Sequence, residues 1–125
     1  MLLFPKLYKS LNICECCAEH YIIRGYIKMQ MEKYEDAIKD FEIVINSECQ
    51  TYPSNQDFLS AYINHSISNF KLNNIDNAIF DIEKSIELIN DCTLKEDLEK
   101  LKGNLSNKSA NTEELYEKIV ENYFK

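Results

Sequence analysis

The sequence predicts an all-α protein of antiparallel helical hairpins stacked side by side, about seven helices in all. Three observations predict it. Apolar residues recur at the helical period along nearly the whole chain. Only two glycines and two prolines occur in 125 residues, too few turn-formers for a sheet protein of this size. One stretch of the chain also repeats another at an offset of 41 residues, as repeat architectures do. The length fits a single domain that buries a core without staples.

The elements follow in order. Leu3, Leu7 and Leu11 share a stripe, and Pro5 suits a first helical turn, which predicts a helix near 5–16. Tyr21, Ile22, Tyr26 and Met29 mark the next helix, ended at Glu32-Lys33. Then Tyr34, Ala37, Ile38, Phe41, Val44 and Ile45 form an apolar face. The opposite face, Glu35, Asp36, Lys39, Asp40 and Glu42, is predicted to be solvated. A loop spans Asn46 to Gln56, and Ser54 or Asn55 caps the helix after it. That helix carries Phe58, Ala61, Tyr62, His65 and Asn69, with Ile63, Ile67 and Phe70 beside them; His65 reads as a packing residue.

Asn73-Asn74 is a tight turn before Ile75, Ala78, Ile79, Ile82, Ile86 and Ile89. Leu94, Leu98, Leu101 and Leu105 mark another helix, predicted to stop in Asn104 to Asn111 near Gly103. Asn111 and Glu114 resemble a capping box ahead of Leu115, Ile119, Val120, Tyr123 and Phe124.

The net charge is −7 and Arg24 is the sole arginine. This excludes nucleic acid and an anionic membrane surface as natural partners, while a basic partner is electrostatically welcome. Five cysteines, with Cys14, Cys16 and Cys17 crowded together, read as reduced thiols in the cytoplasm. Cys49 and Cys92 fall near the ends of second helices and read as unpaired. No signal-peptide core fits the apolar start, and no run approaches membrane-spanning length.

No catalytic motif is legible, so the chain reads as a non-enzyme without cofactor. Gly25 and Gly103 stand alone rather than in a phosphate loop, and Glu35/Asp36 lie on a charged face. Cys14-x-Cys16-Cys17-x-x-His20 offers four soft metal ligands. On a helix, however, Cys16 and His20 share one face and Cys14 and Cys17 another. The reading taken is packing at a helix junction, with no metal; a metal-binding protein is kept as an alternative.

The repeat is the informative feature. At the offset of 41, Tyr21 meets Tyr62, Ala37 meets Ala78, Ile38 meets Ile79, Asp40 meets Asp81, Phe41 meets Ile82 and Ile45 meets Ile86. Tyr21, Gly25, Ala37, Phe41 and Val44 together resemble the tetratricopeptide repeat. Gly25 and Ala37 then mark where the hairpin's helices cross, because larger side chains would part them. The second unit departs from the pattern, with Ser66 for the glycine, Ile82 for the aromatic and Ser85 for the small alanine. The repeat-packing set is therefore Tyr21, Gly25, Ala37 and Phe41 with Tyr62, Ser66, Ala78 and Ile82. Since the family period is about 34 residues, a seven-residue insertion is expected near Cys49 to Pro53.

This divides one domain into a half-repeat helix (1–17), repeat units at 18–49 and 55–90, and a degenerate capping pair at 92–125. The resemblance implies a concave groove that holds another protein or peptide. Its groove-facing positions fall on Ile22, Ile23, Tyr26, Met29 and Gln30, then on Ile63, Asn64, Ile67, Phe70 and Lys71. The partner-binding set is Ile22, Tyr26, Met29, Gln30, Ile63, Asn64, Ile67 and Lys71. The competing expectation, for Ile23 and Phe70 above all, is that terminal helices cover the stripe as core. The chaperone-tail clamp known in this family is rejected. Only Asn64 matches it, with Ile22 where a lysine is needed and Tyr26 where an asparagine is needed. The function expected is an adaptor or scaffold. A structural or self-associating unit of a larger assembly, a homo-oligomer among them, is the second reading, suggested by the half-repeat start and its exposed face.

Overall fold

The computed structural model describes residues 17–124, which form six α-helices and no strand. They are α1 (Ala18–Gln30), α2 (Tyr34–Ile45), α3 (Asn55–Lys71), α4 (Ile75–Leu88), α5 (Cys92–Ser106) and α6 (Thr112–Tyr123). The helix expected at 5–16 lies outside the described residues. α1 packs on α2 and α3 on α4 as two hairpins, with α3 also against α2 and α1; α5 packs on α4 and α6 on α5.

Each of four helix ends is closed by one residue in the left-handed region. Glu32, Ser47, Asn73 and Lys108 have φ of 59°, 57°, 65° and 53°. The next N–H in each case reaches back five residues. Lys33 donates to Lys28, Glu48 to Ile43, Asn74 to Asn69 and Ser109 to Asn104, at 2.7 to 2.9 Å. These are Schellman-type ends, which usually employ glycine. Here none does, which explains how helical hairpins close in so glycine-poor a chain. Glu32 and Asn73 are repeat equivalents, so both hairpins turn on the same device.

α5 stops at Ser106, inside the predicted span, and runs through Gly103 because Leu101 and Leu105 are both buried. Two local expectations are corrected. Asn111 makes no side-chain cap: its backbone (φ −88°, ψ 4°) lacks the extended form that a cap requires. Instead Thr112 Oγ1 donates to the Ser109 carbonyl at 2.8 Å. The insertion is also only partly loop. α3 has 17 residues against 13 in α1, and the extra turn, from Asn55 to Phe58, is capped reciprocally by Ser54 and Asp57.

The core lies in two joined clusters. The first holds Ala18, Met29, Ala37, Phe41, Val44 and Ala61. The second joins Leu59, Ile63, Ala78 and Ile82 to leucines of α5 and to Leu115, Tyr116 and Ile119 of α6. At the first crossing, a Cβ added to Gly25 would sit 2.6 Å from the Phe41 ring, which is fully buried. At the second, Ile82 replaces the ring and Ser66 fits, its Oγ donating to the Ala78 carbonyl at 2.9 Å. The two departures from the repeat pattern compensate each other.

Asp40 is not solvated as its helix face suggested. It is 2% exposed and takes Arg24 Nε at 3.1 Å, Arg24 Nη2 at 2.6 Å and Lys28 Nζ at 3.1 Å. A buried carboxylate requires such partners. The second repeat places His65, Asn69 and Asp81 at the equivalent positions. His65 Nδ1 lies 2.5 Å from Asp81 and its Nε2 lies 3.2 Å from Glu42 of α2. Asn69 Nδ2 adds a bond to Asp81 at 3.3 Å. His65 is thus an ionic joint among α2, α3 and α4, not merely packing. Burial works against its charged form, but the Asp81 and Glu42 carboxylates outweigh that and raise its pKa above 6.5. Burial likewise raises the Asp81 carboxyl, with His65 and Asn69 pulling it partly back.

Two predictions follow from these contacts. Gly103 has nothing within 4 Å of an added Cβ and no positive φ. Gly103→Ala is therefore expected to stabilise by about 0.5–1 kcal/mol, whereas Gly25→Ala costs about 1–3 kcal/mol by overpacking. Urea unfolding followed by circular dichroism measures both, and equal effects at the two sites would refute the packing account. For His65, a raised folded pKa means its stabilisation is complete below 6.5 and is lost as pH climbs through the folded value. The Asp81 effect has the same sign but begins in acid, at 3.8. The stability advantage of wild type over His65→Gln should thus shrink as pH rises above 6.5; an advantage that grows would contradict the assigned network.

Candidate functional site

The apolar stripe of α1 does not end at the core. Ile22, Ile23 and Tyr26 are only half-buried, and Gln30 at the end of the same stripe is exposed. They line an open groove whose floor is α3. At one end a cavity of about 510 Å³ is bounded by Ile22, Ile23 and Tyr26 of α1, Ile63 and Asn64 of α3, and Val120, Tyr123 and Phe124 at the end of the chain. It continues, past the shared Tyr26, Asn64 and Val120, into a second cavity of about 340 Å³. Met29, Gln30, Ile67, Phe70 and Lys71 line that end, facing Glu113, Tyr116, Glu117 and Glu121.

The structure therefore brings all eight sequence-predicted groove residues to one surface, in unequal roles. Met29 (7% exposed) and Ile63 (1% exposed) belong to the core and serve as floor. Ile22, Tyr26, Asn64 and Ile67 are half-buried, and Gln30 and Lys71 stand at the rim. Asn64 Nδ2 donates to the Ser60 carbonyl at 2.9 Å, which holds its side chain along the helix. Of the two residues expected to be covered, Phe70 packs on the Tyr116 ring at 5.3 Å between centroids. Ile23 is left lining the larger cavity.

The groove's second wall is α6, which the sequence reading treated only as a cap. Three contacts fix it. The Tyr116 hydroxyl lies 2.6 Å from Ser66 Oγ in a fully buried hydrogen bond. Burial raises the pKa of that phenol well above its usual 10, Ser66 offsetting only part of the rise, so it stays neutral. Lys71 pairs with Glu113 across the groove mouth, and Tyr123 donates to Asp97 of α5 at 3.2 Å. A signal for this wall was present in the sequence. Leu115 and Ile119 suffice for the core face, so Tyr116 and Val120 widen the apolar stripe beyond what one neighbour buries.

Among the described residues no group of three His, Cys, Asp or Glu side chains could hold a metal ion. Cys14 and Cys16 of the cysteine cluster lie outside the described residues. Cys17 precedes α1 in extended conformation, and His20 is buried with its ring edge-on to Tyr21. Cys49 and Cys92 carry free thiols, and Cys92, shortly after the end of α4, opens α5. No described helix is long and apolar enough to cross a membrane.

Comparison with protein families agrees with this geometry. The tetratricopeptide repeat model matches residues 18–47 and 59–92, together just over half of the chain. The two matches start 41 residues apart, the offset read from the sequence. No significant match was found among curated proteins or among solved structures. Repeats of this family generally mediate protein–protein interaction. With its two hairpins turned, crossed and ion-paired at equivalent positions, the chain belongs to the tetratricopeptide repeat family.

Proposed function

We propose that this chain is an adaptor-type binding module that holds a segment of another protein in the groove between α1, α3 and α6. One observation carries the reading: among the described residues, the side chains leave the groove open along an apolar lining. Ile22, Ile23 and Tyr26 keep surface toward a cavity of about 510 Å³ bounded opposite by Val120 and Phe124. Such linings supply affinity, while a few polar groups such as Gln30 and Asn64 orient the occupant. The general habit of the family supports the same assignment.

The test uses residues that can be changed without opening the core. Ile67 packs against both core clusters, whereas Ile23 and Tyr26 belong to neither. Wild type, an Ile23→Ser/Tyr26→Ser variant and a Phe80→Ser control serve as bait for native partners. Phe80 is 55% exposed on α4, away from the groove. All three should give the same helical circular dichroism. The double variant is expected to lose its partner, since truncating anchors of this kind costs on the order of 2 kcal/mol. The control should retain it. A folded double variant that still captures the same partner would place binding elsewhere.

A further inference from the structure

His65 sits between two carboxylates that belong to different repeat units. Its Nδ1 lies 2.5 Å from Asp81 of α4, within its own hairpin. Its Nε2 lies 3.2 Å from Glu42 of α2, in the neighbouring hairpin. The ring thus bridges the seam between the hairpins, where Ala61 and Ile67 supply apolar contact. The seam opens on a cleft of about 280 Å³ that His65 lines together with Ile45, Tyr62 and Phe80, so the ring exchanges protons with solvent. This joint is separate from the groove. α3 turns Asn64 and Ile67 to the groove, and His65 to α2 and α4.

We propose that His65 is a proton-gated clasp between the two repeat units. As the imidazolium it holds Asp81 and Glu42 at once; on losing a proton it keeps Asp81 and releases Glu42. The number of donors forces the choice. The imidazolium has two N–H groups, one for each carboxylate, whereas neutral imidazole has one N–H and one lone pair. A ring nitrogen without its proton repels the carboxylate opposite it. Burial decides which carboxylate keeps the donor. The Asp81 side chain is 3% exposed and cannot turn to water, whereas the Glu42 side chain is 51% exposed and can. Asn69 Nδ2, although 3.1 Å from Nδ1, has Asp81 and the His65 carbonyl as acceptors and does not require the ring lone pair. The remaining proton therefore stays on Nδ1, and the Nε2 proton leaves to solvent through the cleft.

The groups around the ring set the direction of the switch. α2 presents Glu42 and α4 presents Asp81. Lys84 of α4 lies over the Phe80 ring, and α1 turns Arg24 and Lys28 to Asp40. On α3 itself, Tyr62 lines the cleft as a neutral phenol, because burial raises its pKa above 10. Burial works against the charged ring of His65, but Asp81 and Glu42 outweigh it and raise its pKa above 6.5. The clasp is therefore closed below 6.5 and opens as pH climbs through the raised value. What opens is the seam and not the fold. The contacts of Ala61 and Ile67 with the first cluster carry no titrating group, so the hairpins stay stacked while their joint loosens.

An NMR titration of the whole chain tests this. Two histidines occur, and His65→Gln identifies the signals of His65. Ring nitrogen shifts should show a neutral form protonated on Nδ1. The carboxyl carbon of Glu42 should titrate in step with His65, and that step should vanish in His65→Gln. Glu42→Gln, at a half-exposed position outside the core, should lower the His65 pKa. Hydrogen-exchange protection factors of the α2 and α3 amides beside the seam should fall roughly two- to fivefold across the transition, the scale of one half-exposed charge pair. In Glu42→Gln they should stay at the low value throughout. A neutral ring protonated on Nε2, or a Glu42 carboxyl that ignores the His65 titration, would overturn the proposal. So would a His65 titration left unmoved by Glu42→Gln. Unchanged protection would overturn it too, because the proton would then have no hold on the seam.

Discussion

Everything else in this molecule depends on how closely the helices of each hairpin approach. At the first crossing the backbone at Gly25 lies against the face of Phe41, with no room for even a methyl group. Ala37, Ala61 and Ala78 are wholly buried at neighbouring contacts. Close approach seats α1 on α2, and α3 packs against both, so the groove between α1 and α3 rests on that contact. Small residues here are not a local convenience. Widening one crossing would shift α1 relative to α3 and change the width between Tyr26 and Asn64, since a packed interior transmits strain.

Packing alone leaves the sliding of one helix along another weakly specified, and the buried aspartates address this. Asp40 and Asp81 sit at equivalent places on the second helix of each hairpin, each held by two side chains one turn apart on the first. A carboxylate in that position is tolerated only when its partners are in register. The pairing therefore acts as a register lock more than as a source of net stability. The two locks differ in chemistry. The Arg24 lock keeps its charge at any physiological pH. The His65 lock titrates and reaches across to Glu42 in the neighbouring hairpin. The joint between the repeats is thus a pH-sensitive element of the stack.

The repeat was legible because its restraints are steric and periodic. Gly25, Ala37 and Phe41 carry shape, and shape survives in sequence as residue class. The hairpin turn at Asn73-Asn74 and the cap at Ser54 were legible for the same local reasons. What escaped were features that depend on who stands opposite. Asp40 reads as a surface residue until Arg24 and Lys28 are brought over it. His65 reads as a packing residue until Asp81 and Glu42 stand at its two ring nitrogens. Groove membership was legible for α1 and α3, whose positions follow from the repeat. For α6 the sequence carried only the widened apolar stripe at Tyr116 and Val120, because no repeat partner fixes that helix's orientation.

The position of α6 gives the departure at Ser66 a positive meaning. A glycine there, as the repeat pattern asks, would leave the Tyr116 hydroxyl buried with no partner from α3, and such a group costs about 1–3 kcal/mol. Serine supplies the partner and donates its own proton to the Ala78 carbonyl, so the Tyr116 hydroxyl can be the donor of the shared bond. The smaller Ile82 in place of an aromatic makes the space that serine occupies. Two substitutions that look like decay from the pattern, at 66 and 82, combine with Tyr116 into one arrangement that fastens α6 beside the groove. The same helix then carries Val120 to the groove's edge. The groove's second wall stands where it does because of how the second repeat deviates from the first.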